Sequence, residues 1–236
     1  MRSADITDAH SRYLLRCQIV PKTDTAHVEA IFDAAFREYG LPQVIHTDNG
    51  APFASRAPAG LSRLSMRWVK LGILPERSRP ASPQDNGRHE RMHLTLKQDT
   101  LHPPAQTARQ QQETFHQFQH IYNHERPHEA LENRTPAECY EPSARPMPRR
   151  VSELVYGDDF LVRRISNGEL TWKGKRLFVS EIFDHEPLGQ RALNERYWEV
   201  CFGPLVVGWM DSYRNRFHKR MHLRMQRDLG LAKESA

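Results

Sequence analysis

The spacing of apolar residues changes once along this chain, and that change limits the fold more than any other feature. Up to about residue 141, short apolar runs alternate with helix-length stripes, which predicts an α/β unit. Ala4 to Thr7 and Tyr13 to Val20, with polar Asp8-Ala9-His10-Ser11 between them, predict a hairpin. Thr25 to Tyr39 places Val28, Ile31, Phe32, Ala35 and Phe36 on one helical face and stops at Gly40. Val44-Ile45-His46 reads as a short buried strand running straight into Asp48-Asn49-Gly50. Helices are expected at about Gly60–Leu71, from about Arg88, and at about Ala105–Tyr122, with a short strand around Leu74–Arg77. Pro142, Pro146 and Pro148, interleaved with Arg145, Arg149 and Arg150, make a stiff basic linker. Beyond it come only short strands: Phe160-Leu161-Val162, Leu170-Thr171-Trp172, Arg176–Val179, Trp198–Phe202 and Leu205–Trp209, with Asn167-Gly168 as a hairpin turn. The expected layout is a core over 1–141, a linker over 142–154, a small barrel-like all-β domain over 155–211, and a basic helical tail over 212–236.

Composition narrows the class. At 236 residues, 38% hydrophobic and 27% charged, the chain is long enough for one large core or two modest ones. No stretch approaches the roughly 20 apolar residues that span a bilayer, so no membrane partner is expected. Cys17, Cys139 and Cys201 are far apart and lack a C-x-x-C pair, which favours a cytoplasmic protein over a disulfide frame or structural zinc. The net charge of +5 comes wholly from residues 142–236, because residues 1–141 carry 17 basic against 17 acidic residues. Seven basic and two acidic residues fall within 214–236, which suits a polyanion; a solvated tail is the plain alternative.

Two carboxylates stand where metal chemistry is favoured. Asp48 sits at a strand's C-terminal end, and Asn49-Gly50 turns the backbone away from it; ordinary turn chemistry would look the same. Glu90 opens a helix, on which Glu90, His93, Leu94 and Lys97 share a face. A carboxylate followed two turns later by a lysine suits a phosphodiester substrate. Tyr122 to Leu131 packs many polar groups into ten residues, unlike a plain helix end. His116, His120 and His124 recur every four residues, and read best as a polar face beside a Phe115/Phe118/Ile121 stripe.

Taken in order, Asp48-Asn49-Gly50-x-x-Phe53, Ser82-Pro83-Gln84-x-Asn86-Gly87-x-x-Glu90-Arg91-x-His93-x-Thr95-Leu96-Lys97, Tyr122-Asn123-x-x-Arg126-Pro127-His128 and Thr135-Pro136 closely resemble the catalytic core of bacterial insertion-sequence transposases related to retroviral integrases. Asp8-x-His10-Ser11-Arg12-Tyr13 is similar to a turn these proteins carry. The resemblance covers roughly residues 5–142. It implies an RNase H-like fold whose Asp, Asp and Glu hold two divalent ions, Mg²⁺ or Mn²⁺. Asp48 matches the second Asp and Glu90 the Glu, as catalytic residues and metal ligands. DNA is the implied partner, held by Arg91, His93, Lys97 and Arg126, with Arg214, Arg216, Lys219, Arg220 and Arg224 of the tail added by their charge. The active form is expected to be a homo-oligomer.

One departure matters. The family's first Asp lies on a strand preceding the segment matched by Asp8, and that strand is central in the family sheet. This sequence starts inside the later strand, and neither Asp5 nor Asp8 matches the catalytic position. The expectation is a shortened transposase, inactive as written. The 41 residues between Asp48 and Glu90 exceed the family's usual gap, marking Ala54 to Gly60 as a small insertion. Two other functions compete. His89-Glu90-Arg91-Met92-His93 is a literal H-E-x-x-H, which would make a zinc protease with Glu113 as a distant third ligand. A non-catalytic DNA-binding protein would use only the β module and the tail.

Overall fold

The computed structural model describes residues 2–78, 87–101, 103 and 105–231. The chain divides into two compact units, Met1–Phe53 with Ile73–Arg149, and Ala54–Gly72 with Arg150–Ala236.

The first unit opens with β1 (Arg2–Thr7) and β2 (Leu14–Val20), an antiparallel hairpin. Asp8 builds its turn. One carboxylate oxygen, Oδ2, accepts from the backbone N–H of His10 and Ser11 and from the Ser11 hydroxyl, at 3.1, 2.7 and 2.7 Å. That clamp holds Arg12 in the left-handed region at φ 63°, a conformation uncommon for a non-glycine residue. Helix α1 (Thr25–Tyr39) is capped by Asp24, which accepts from His27 N–H, and it buries the five residues its periodicity picks out. Gly40 ends it at φ 80°, where a Cβ would collide with the Ser143 carbonyl. Strand β3 (Val44–Thr47) pairs in parallel with β4 (Leu74–Arg77). Of β3 only Ile45 is buried, and Val44 is 41% exposed, so the buried strand expected there is half open. Among the described residues the four strands form two separate two-stranded sheets. Helix α2 (Arg63–Lys70) lies between β3 and β4 in sequence and belongs to the second unit. Helices α3 (Gly87–Thr100), α4 (Ala108–His124) and the short α5 (Pro136–Cys139) complete the first unit.

The core of this unit joins Leu14 and Cys17 of β2, Met92 and Leu96 of α3, and Phe115, Phe118 and Tyr122 of α4. Two features of α4 differ from the sequence reading. Ile121 is 50% exposed, while Gln111 and Asn123 are buried. The reason is that α4 covers β2 with amides as well as with rings. Asn123 Oδ1 accepts from Leu14 N–H at 2.8 Å and its Nδ2 donates to Leu14 C=O at 3.0 Å. Gln112 accepts from Ile19 N–H and donates to Cys17 C=O, both at 2.9 Å. Gln119 donates to the carbonyls of Leu14 and Leu15. The edge of β2 that no strand pairs among the described residues is thus satisfied by side chains one and two helical turns apart.

The second unit is built on a five-stranded antiparallel sheet. Its strands are β5 (Leu161–Arg164), β8 (Pro187–Ala192), β9 (Tyr197–Phe202), β10 (Leu205–Asp211) and β11 (Arg216–His218), and β6 (Glu169–Trp172) with β7 (Lys175–Phe178) makes a separate hairpin. Asn167 and Gly168, both at positive φ, do form a tight turn, yet the flanking strands part: β5 pairs β8 and β6 pairs β7. Ile165, Leu170, Trp172, Leu177 and Phe183 share one core with Val200, Phe202 and Met210, and with Leu61, Met66 and Val69 from the α2 region. The outer strands β5 and β11 do not pair among the described residues, so the expected barrel is not closed by hydrogen bonds. Lys70 and Glu186 join the α2 segment to the sheet at 2.8 Å.

The tail is a correction. Phe217, Met221, Met225 and Leu229 recur every four residues, which predicts one helix over 213–229 within the expected helical tail, but Arg216–His218 is a strand paired with Trp209–Asp211, and only Leu223–Asp228 is helical (α6). Tertiary pairing outweighs the period here, because Phe217 lies across Gly208, where any Cβ would run into its ring. Met225 is fully buried, as an apolar anchor should be.

Candidate active site

The sequence places Asp48 immediately after β3, where it is exposed. Its Oδ1 accepts from Gly50 N–H at 2.9 Å, which shapes the turn and leaves Oδ2 for another partner. The Asn49 amide donates to Ser78 C=O at 2.8 Å, and Ser78 N–H donates to Thr47 C=O at 3.0 Å. The ends of β3 and β4 are therefore tied together just behind Asp48. Glu90 lies in the first turn of α3 and is exposed, where the helix dipole favours a carboxylate. Met92, Leu96 and Thr100 anchor the buried side of α3, which leaves Glu90, Arg91, Leu94 and Lys97 outward. Among the described residues no group of three or more His, Cys, Asp or Glu stands together as an ion site. The Ser82-Pro83-Gln84-x-Asn86 part of the motif lies outside the described residues, as does the His89 side chain needed for the zinc reading. Glu113 is exposed on α4.

His93 does something its spacing does not reveal. Its Nδ1 lies 2.8 Å from Oδ2 of Asp5, a carboxylate that is only 2% exposed. Asp5 thus enters the neighbourhood of Glu90 without matching any motif position. The segment rich in polar groups after α4 also resolves into parts. Tyr122 and Asn123 are structural, one in the core and one on β2. Arg126 pairs with Asp99 at 3.4 Å on the surface. His128 sits with its ring 4.9 Å from that of Tyr122, and its Nε2 is buried without a hydrogen-bond partner among the described residues. Burial first, then the charges of Arg12 and Arg126, hold the His128 pKa below the usual imidazole range. The hairpin turn, through Arg12, and the Arg126-Pro127-His128 segment therefore act on one imidazole. The polar density of 122–131 was a visible signal for this; the participation of Arg12 was not.

In the second unit, Arg214, Arg216, Lys219, Arg220 and Arg224 are all exposed. They ride on a strand, a turn and a short helix rather than on one helical face. Lys219 also donates to the Arg56 carbonyl at 3.0 Å. Asp211, beside this segment, is held below the usual carboxylate range: burial raises it, but the Arg196 guanidinium and the N–H groups of Arg214 and Tyr213 outweigh that.

Two families, each described as an integrase core domain, match the chain, one over residues 1–83 and the other over 71–136. Together the two matches extend over residues 1–136. They run through Asp48, Glu90 and the whole H-E-x-x-H segment, so the integrase-core reading accounts for the helix on which the protease reading depends. The Gag-Pol polyprotein of baboon endogenous virus (strain M7) is 38% identical over 79 residues, 33% of this chain and 4% of the viral protein. The Pol polyprotein of feline endogenous virus ECE1 is 39% identical over 80 residues, again 33% of this chain, and 7% of its own length. The chain thus spans less than a tenth of either relative. A solved chain from the simian T-cell lymphotropic virus intasome in complex with PP2A regulatory subunit B56 gamma has a TM-score of 0.48 at 15% identity, over 89% of this chain and 74% of that one. The integrase core belongs to a class of polynucleotidyl transferases, which makes this an enzyme fold by kinship. No helix among the described residues is long and apolar enough to cross a membrane.

Proposed function

We propose that this chain serves DNA integration, as an RNase H-like transposase or integrase of insertion-sequence type that cuts and rejoins phosphodiester bonds. The observation that carries the reading is the pair of integrase-core matches over residues 1–136, with Asp48 at the end of a strand and Glu90 at the start of a helix, both exposed. Hard carboxylate oxygens suit Mg²⁺ or Mn²⁺ in kind, and Asp48 keeps one oxygen outside its turn. A divalent ion, when bound, supplies Lewis-acid activation of water or a 3′-hydroxyl. Asp48 and Glu90 would hold it, while Lys97 and Arg91 on the same helix would hold the phosphate and fix the strand's position. Arg126 would extend that contact.

Two carboxylates without a third ligand among the described residues make a weak ion site, so this polypeptide alone is expected not to join strands. A strand-transfer assay with Mg²⁺ or Mn²⁺ tests the inactivity, and activity in the purified chain would refute it. Mn²⁺ binding unchanged by D48N and E90Q would refute the assignment of the site. Assembly into a homo-oligomer and a cytoplasmic setting belong to the same proposal.

DNA holding by the tail is carried by a separate observation, the exposed basic residues of 214–224. If five or six phosphates are engaged, log K should fall against log salt with a slope of about −5. Replacing Arg214, Arg216, Arg220 and Arg224 with glutamine should remove about 3–4 units of that slope. An unchanged slope would leave the tail as a solvated end.

A further inference from the structure

The β6–β7 hairpin keeps its apolar residues on one face, with a single departure. Leu170, Trp172 and Leu177 lie in the core of the second unit, and the opposite face carries Thr171, Arg176 and Phe178. Phe178 is 60% exposed there, so its ring stays largely in water, where burial would stabilise it. The preceding turn backs the ring: its Cε2 lies 2.9 Å from where a Cβ on Gly168 would stand. The hairpin's apex is Lys173-Gly174, with both residues at positive φ, 46° and 76°. Asparagine or aspartate adopts the first position of such a turn more easily than lysine, so a charge is held at the apex against backbone preference. Lys175 and Arg176 follow it, and all three cations are exposed. Asn215 Nδ2 donates to Arg176 C=O at 3.2 Å, which fastens the β10–β11 turn, with exposed Arg214 and Arg216, to the same hairpin. Residues 170–178 and 212–220 contain no aspartate or glutamate. Glu169 reaches Arg176 at 3.5 Å, and buried Asp211 is taken up by Arg196 at 3.0 and 2.6 Å.

We propose that this face of the hairpin binds single-stranded DNA, with Phe178 stacking on an unpaired base and Lys173, Lys175 and Arg176 holding phosphates alongside Arg214 and Arg216. The proposal deepens the DNA reading of the tail and rests on it. Duplex DNA offers phosphates to these cations, but its base faces are already stacked on one another and leave nothing for an exposed phenyl ring. An unpaired strand offers both phosphates and base faces, and its bases stack on aromatic rings whatever their sequence.

The test titrates the full 236-residue chain into three fluorescent probes of equal length and follows anisotropy: oligo-dT, a strand of abasic deoxyribose phosphates, and a duplex. Wild type should bind oligo-dT about five- to tenfold more tightly than the abasic strand. F178A should remove that difference while changing duplex binding by less than about twofold, and F178W should keep it. K173Q/K175Q/R176Q should lower the salt slope for oligo-dT by about 2. Failure of wild type to bind any of the probes would overturn the DNA reading itself. Equal binding of oligo-dT and the abasic strand, or a preference for oligo-dT that survives F178A, would overturn the stacking role alone. An unchanged slope in the triple variant would overturn the part given to the hairpin's cations. Poly-glutamate that displaces the labelled oligo-dT as well as unlabelled oligo-dT does would assign the face to an acidic polypeptide instead.

Discussion

Replacing Asn123 by alanine should cost the first unit far more than removal of a surface amide. Leu14 is fully buried, and its N–H donates to Asn123 Oδ1 at 2.8 Å. Truncation leaves that N–H without its acceptor in the core, a cost of about 1–3 kcal/mol. Leu14 C=O also loses Asn123 Nδ2, but it keeps the Gln119 amide at 2.8 Å, so this loss adds only about 0.5–1 kcal/mol. Alanine returns a few tenths of a kcal/mol through its better helix propensity. The net expectation for N123A is a loss of about 2–3 kcal/mol. Q119A leaves Leu14 C=O with Asn123 and affects mainly the half-buried Leu15 carbonyl, so it should cost about 1 kcal/mol or less. N123D should be worse than N123A near neutral pH. A carboxylate still accepts from Leu14 N–H, but its other oxygen faces the Leu14 carbonyl and its charge is buried. Urea unfolding followed by far-UV circular dichroism, to which the long helices α1, α3 and α4 of the first unit contribute most, measures all three, while the four tryptophans, Trp68, Trp172, Trp198 and Trp209, report the second unit. An N123A loss below about 0.5 kcal/mol, or a Q119A loss equal to it, would refute the amide-clamp argument.

Three further outcomes follow from particular contacts. His128 has its folded pKa lowered by burial and by Arg12 and Arg126, so protonation opposes folding. Its effect is absent above the unfolded imidazole pKa of about 6.5 and grows as pH falls below it; H128N should flatten that acid loss in a denaturation series, and an identical pH profile would count against it. G208A should destabilise the second unit by forcing Phe217 off β10, seen as a lower thermal midpoint by tryptophan fluorescence, whereas G174A, whose Cβ meets nothing within 4 Å, should suffer only from its positive φ of 76°. Mn²⁺ titration followed by water-proton relaxation should show weak binding that drops further in D48N and in E90Q; binding indifferent to both would remove them from the metal site.

The parts of the fold legible in the sequence are those decided locally. Helix α1 was readable to its ends because five apolar residues at helical spacing sit between a capping Asp24 and a stop at Gly40. The hairpin, β3, β4 and the positions of Asp48 and Glu90 were readable for similar reasons. Strand β8 was not, since Pro-Leu-Gly-Gln-Arg-Ala shows no alternation; its Gly189 and buried Gln190 suit neighbours far away in sequence. The tail was misread because Phe217 and Met225 fit a helical period, while β10 offered Arg216–His218 a ladder that no local pattern announces. Ile121 was assigned to the core for lack of any local sign that α4 turns amides toward β2. Asp5 was dismissed because it matched no motif, and its partner His93 lies 88 positions away.

The amide face of α4 also bears on solubility. A strand edge with free N–H and C=O groups is a template on which another chain can add a strand. Gln112, Gln119 and Asn123 occupy those groups on β2, and a helix cannot pass the pairing on as a strand would. The edge is therefore closed to propagation by the amides of α4, beside the bulge at Leu15 and the charged Arg16 that β2 itself carries. Changes at these three positions would expose a template for aggregation in an otherwise ordered hairpin, so their damage should rise with protein concentration as well as with temperature.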